Sequence, residues 1–148
     1  MIADIESLPS SRGFIEMLEA YRPTGGLAPG HFLHRSLQDH QRGDLSRLAR
    51  LIVDRRIFVL DWRGDSWIPM FQFDGNDLAC KPGPALVLDE LKTLSSGWAV
   101  AAWFARPNEL LDGCRPVNVM ESDLTRVLEA ARCQSPAMQA RQREPAHA

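Results

Sequence analysis

The stretch Trp98-Ala-Val-Ala-Ala-Trp103-Phe-Ala-Arg-Pro107-Asn108-Glu-Leu-Leu-Asp-Gly113-Cys-Arg115-Pro116-Val-Asn-Val-Met120 decides how this chain is read. Trp98 to Phe104 is almost wholly apolar, so it predicts a short helix buried on every side. Arg106-Pro107-Asn108 stops that helix, because the residue before a proline is pushed out of helical geometry. Asn108 is suited to hydrogen-bond the local backbone and fix the turn. Gly113 supplies a positive φ angle. Pro116 sits at the first turn of a further short helix, where its missing N–H costs nothing. Leu110, Leu111, Val117 and Met120 are expected to pack back on Trp103 and Phe104. Trp98 and Trp103 are five apart and so lie on different sides of their helix. One suits a core and the other an interface.

On the C-terminal side, Ser122 is the expected cap of a last helix with Leu124, Val127, Leu128 and Ala131 as its stripe. From Gln134 the tail SPAMQARQREPAHA is polar and poor in large apolar residues, a composition that does not build a core. On the N-terminal side, Pro84 opens a helix with Leu86, Leu88, Leu91 and Leu94 on it, and Ser95-Ser96-Gly97 breaks it. Farther back the period changes. Ile57-Phe58-Val59-Leu60-Asp61-Trp62 and Trp67-Ile68-Pro69-Met70-Phe71-Gln72-Phe73 read as two strands joined by Arg63-Gly64-Asp65-Ser66, a hairpin. Pro69 points to an edge strand or a bulge. Asp74-Gly75-Asn76-Asp77 is a turn.

Residues 1–10 read as frayed. Ser11 is the expected cap of a first helix carrying Phe14, Ile15, Leu18 and Tyr21, which Pro23-Thr24-Gly25-Gly26 ends. A second helix is expected from Pro29 with Phe32, Leu33 and Leu37, ending at Gly43. Asp44 caps a third with Leu45, Leu48, Ala49, Ile52 and Val53. The fold class expected is α+β, mostly α. N-terminal helices and a β-hairpin fill residues 1–73, a small helical unit fills 74–133, and a tail runs from 134 to 148.

The chain has 148 residues, 45% hydrophobic and 24% charged, with a net charge of −2. That composition is ordinary for a globular domain and gives no general pull towards nucleic acid or membrane. No apolar run approaches the roughly 20 residues of a membrane span. The start lacks the basic-then-apolar pattern of a secretory signal. Cys80, Cys114 and Cys133 are odd in number and far apart, which suits reduced thiols in a cytoplasm. There is no phosphate loop, HExxH or GxSxG, and no catalytic residue is assigned. His31 and His34 stand three apart, but no Asp, Glu or Cys at ligand spacing completes a set, so neither metal nor cofactor is expected.

The segment around Trp103 resembles the toxin-binding domain of antitoxins of the Xre/MbcA/ParS type. Trp103-Phe104, Pro107-Asn108, Gly113, Arg115-Pro116 and Val117 to Met120 match that family's pattern in order and approximate spacing. The helix from Pro84 to Leu94 fits its layout, and the likeness covers roughly residues 74–133. The resemblance implies a bacterial toxin–antitoxin pair, with a non-enzymatic antitoxin that binds a cognate toxin, often an NAD-consuming one, through its C-terminal helices and tail. It also implies a homodimer. Trp103, Pro107, Asn108, Gly113, Arg115 and Pro116 carry the motif, and Arg126, Arg132, Arg141 and Arg143 are the basic groups available to the partner. Many relatives carry an N-terminal DNA-binding helical domain, whereas residues 1–73 here contain a hairpin.

Two alternatives stay open. The Arg-rich stretch from Arg22 to Arg56 suits a DNA-binding regulator that presents Arg47 and Arg50 from the helix after Asp44, or else a solvated amphipathic face. An adaptor that kept the fold without a toxin would have the same sequence.

Overall fold

The first element is set by a single hydroxyl. In the computed structural model, which describes residues 10–31, 45–74, 79–94 and 96–134 (of 45–47 the backbone only), helix α1 runs Ser11–Tyr21. Ser10 caps it, its Oγ accepting from Gly13 N at 3.0 Å. The cap is thus one residue earlier than the sequence suggested. Phe14, Ala20 and Tyr21 face inward, while Ile15 is turned outward. Phe14 and Tyr21 are two full turns apart and fix the buried face, which leaves Ile15 about 100° round the helix. A 3₁₀ turn, Arg22–Thr24, follows, and Gly25 leaves it with φ +113.

Leu27–Pro29 is strand β1, and Gly30 and His31 directly after it are helical, so the second helix expected near Pro29 opens one residue later. The expectations for Phe32, Leu33, Leu37, Gly43 and Asp44 lie outside the described residues, as do those for residues 1–9. Helix α2 spans Leu45–Val53, with Leu48 buried. Strands β2 (Leu60–Trp62) and β3 (Asp65–Pro69) form the hairpin. Its loop is only Arg63-Gly64, because Trp62 pairs directly with Asp65. Both loop residues have positive φ, +53 and +83, the conformation of a type I′ turn, whose twist matches that of the flanking strands. Glycine adopts it freely. Arg63 is held in it by Nη2 donating to Ser11 Oγ at 3.1 Å and by stacking its guanidinium 4.5 Å over the Trp62 ring.

The sheet is antiparallel in the order β1-β3-β2, so β3 is central rather than an edge. Pro69 is tolerated there because β2 ends opposite Trp67, so that among the described strands Pro69 pairs with β1 alone. The ladder resumes with Met70 N donating to Gly26 O at 2.9 Å. A 3₁₀ turn, Met70–Gln72, replaces the expected end of the strand. Gln72 is fully buried and stands in for the missing ladder. Its Oε1 accepts from Phe58 N at 2.8 Å, and its Nε2 donates to Phe58 O and Pro69 O at 3.0 Å each.

Helix α3 is Pro82–Glu90 and α4 is Gly97–Ala105. On α3 the buried face is Pro84, Val87 and Leu88, continued by Leu91, and Leu86 faces out. Gly97 begins α4 instead of breaking a helix, capped by Ser96 Oγ accepting from Ala99 N. A Cβ on Gly97 would lie 1.8 Å from Val59 O, so only glycine lets α4 approach the strand this closely. After a 3₁₀ turn, Glu109–Leu111, come α5 (Pro116–Val119) and α6 (Leu124–Arg132). Asp123, not Ser122, caps α6, its Oδ1 accepting from Arg126 N.

One core holds Tyr21, Phe58, Leu60, Phe71, Val87, Val100, Phe104 and Val127 together. Contributors from both sides of residue 74 share it. Tyr21 Oη donates to Ala101 O at 2.8 Å, and Trp98 Nε1 donates to Asp61 O at 2.8 Å, tying α1 and β2 to α4. A smaller cluster of Leu48, Ile57, Ile68 and Phe73 lies under α2. The fold is mixed α+β and mostly helical, and among the described residues no helix is long and apolar enough to cross a membrane.

Candidate functional site

The turn after α4 is built from the motif residues. Asn108 Oδ1 accepts from Leu110 N at 2.9 Å and caps the 3₁₀ turn. Asn108 N donates to Cys114 O at 3.0 Å, closing a loop in which Asp112 and Gly113 both have positive φ, +58 and +83. Leu111, Val117 and Met120 pack in the core with Trp103 and Phe104, whereas Leu110 is half exposed. Pro116 is buried in the first turn of α5. The sequence reading of these local roles therefore holds, Leu110 excepted.

This turn forms one end of a groove of about 1180 Å³ between α1 and α4. Of the residues assigned to partner binding, Trp103, Pro107, Asn108 and Arg115 line it together, with Gln134 beside them. Trp103 is nearly buried, so its ring serves as a wall and not as a projecting anchor. Gly113 and Pro116 shape the turn from outside the groove.

Arg126 and Arg132 are elsewhere and engaged within the chain. Arg126 donates to Asp112 Oδ2 at 3.2 Å and Leu110 O at 2.8 Å, clamping α6 to the turn. Arg132 donates to Glu90 Oε2 at 3.3 Å, joining α6 to α3. Both pairs are exposed, and such pairs contribute up to about 1 kcal/mol. Arg141 and Arg143 lie outside the described residues, as does the side chain of Arg47. Arg50 is exposed on α2.

The α1 wall was not legible as part of a site. Ile15, Glu16 and Glu19 stand on it, and Arg106 joins Arg115 opposite. Glu19 is paired with Arg22 at 3.0 Å. The signal for Ile15 was present in its 100° offset from Phe14, but Leu18 beside it gave the same offset an inward look.

Among the described residues the groove is lined by no histidine or cysteine, and its charged side chains are those two glutamates and two arginines. Among the described residues no three His, Cys, Asp or Glu gather to hold a metal. Tyr21 has its phenol pushed well above the ordinary range by burial, and it serves as a tie between helices behind the groove. A second groove of about 910 Å³, between Pro23, Phe71, Lys81 and Met120, holds none of the assigned residues. No family model matches this chain, and no curated protein or solved structure matches it.

Proposed function

We propose that this chain is an antitoxin-like protein that binds a cognate toxin and neutralises it by contact, without chemistry of its own. The observation that carries the reading is that Trp103, Pro107, Asn108 and Arg115 share one groove. These are the residues that carry the resemblance to a toxin-binding domain. Gln134, the last described residue, lines the same groove. The Arg115 side chain makes no hydrogen bond or ion pair among the described residues, and its guanidinium faces the groove that a partner would fill. A toxin that consumes NAD is the partner class the resemblance implies.

The test is co-expression with the protein encoded by the adjacent gene, followed by size-exclusion chromatography and a growth assay. Co-elution with relief of toxicity is the expected result. An adjacent product that is neither toxic nor bound would overturn the reading.

A further inference from the structure

The groove has walls of opposite charge. Glu16 stands on α1, and Arg106 and Arg115 stand opposite. The Asn108–Cys114 bridge holds the segments carrying the two arginines side by side, so their charges add at one end. The side chains of these three make no ion pair or hydrogen bond among the described residues. Ile15 is 56% exposed on the α1 wall, an isolated large apolar side chain next to Glu16. The α4 wall presents Ala99 and Ala102, small enough to let another backbone approach closely. Unpaired opposite charges flanking an apolar strip impose both a chemistry and a direction on whatever lies in the groove.

We infer that α1 forms half of the partner interface. The groove takes one segment of the partner protein. That segment is apolar where it lies on Ile15 and the alanines. It turns carboxylates to Arg106 and Arg115 and a basic group to Glu16, in the manner of an amphipathic helix laid in a groove. The inference rests on the partner-binding reading above, and it adds α1 and Arg106 to a surface which that reading confined to the C-terminal half.

The experiment uses the full-length chain and the product of the adjacent gene. Affinity is measured by calorimetry for the wild type, Ile15→Asp, Glu16→Arg and the double reversal Arg106→Glu with Arg115→Glu. Ile15→Asp and the double reversal should each weaken binding by about tenfold or more, and Glu16→Arg by less, with melting temperatures held near wild type. Ile15→Ala replaces Ile15→Asp if the latter fails to fold. Binding unchanged within about twofold in every variant overturns the inference while the antitoxin reading stands. Loss in the arginine variant alone confines the interface to the far wall and overturns the assignment of α1. Absence of any complex with wild type overturns both.

Discussion

Replacing Gln72 by Met removes three buried hydrogen bonds while nearly preserving side-chain size. Gln72 is fully buried, and its amide satisfies Phe58 N–H, Phe58 C=O and Pro69 C=O at 2.8 to 3.0 Å. In Gln72→Met the Phe58 N–H is left with no acceptor, which costs about 1–3 kcal/mol. Each carbonyl has a second lone pair and tolerates the loss better, at roughly 0.5–1 kcal/mol apiece. Met no longer has to desolvate an amide, which offsets part of this. The expected net loss is about 2–4 kcal/mol, a large share of the 5–15 kcal/mol typical of a domain. Urea unfolding followed by tryptophan fluorescence reads it as a lower midpoint at unchanged slope. Gln72→Glu is the companion variant. Its carboxylate still accepts from Phe58 N–H but donates nothing, and burial raises its pKa above the unfolded value near 4.3. A group raised on folding is best tolerated below its unfolded pKa, so this variant should be less impaired near pH 4 than at pH 7, relative to wild type at each pH. A loss below about 1 kcal/mol for Gln72→Met would refute the claim that this amide replaces the strand ladder.

Three further outcomes follow from the geometry. Gly97→Ala places a Cβ 1.8 Å from Val59 O, so α4 must move off the sheet, and unfolding should show a loss of about 2–3 kcal/mol. Tyr21→Phe should cost about 1 kcal/mol at pH 7 by deleting the bond to Ala101 O. Tyr21 is the chain's sole tyrosine, and its pKa is raised by burial. Wild type should therefore keep its full Tyr21 contribution below about pH 10, the unfolded value, and lose it above, whereas Tyr21→Phe loses no stability from this source. Phenolate absorbance, appearing only as the protein unfolds, checks it. Asn108→Ala removes the cap on the turn after α4 and should lower stability by about 1 kcal/mol in the same urea assay.

How much of this was legible in the sequence depended on the range of the interaction. The position of the α4 helix and of the turn after it was legible because the signals are local: an all-apolar run, a proline that stops a helix, an asparagine and glycine at a tight turn. The burial of α4 on every side was not borne out, since Ala99 and Ala102 open onto the groove. Shifts of one residue, such as Ser10 for Ser11 and Asp123 for Ser122, arose where two capping residues stand together and the spacing does not choose between them. The hairpin was legible, but not its two-residue loop. Arg63 at positive φ has a steric cost that only Ser11 and Trp62, packed around it by α1, make tolerable.

By itself the sequence determined the order and type of most elements, the apolar residues of α4 and α6, and the turn from Pro107 to Pro116. Backbone propensity and short-range hydrogen bonding suffice for those. Tertiary structure alone decided that β3 is central, since β1 comes from 38 to 42 residues earlier in the chain by the pairing of Leu27 with Pro69 and Pro29 with Trp67. It also decided that Ile15 and Leu86 face outward, that Arg126 and Arg132 are committed to Asp112 and Glu90, and that α1 faces Arg115 across a groove. Those outcomes follow from which surfaces compete for burial once distant segments meet, and no local pattern encodes that competition.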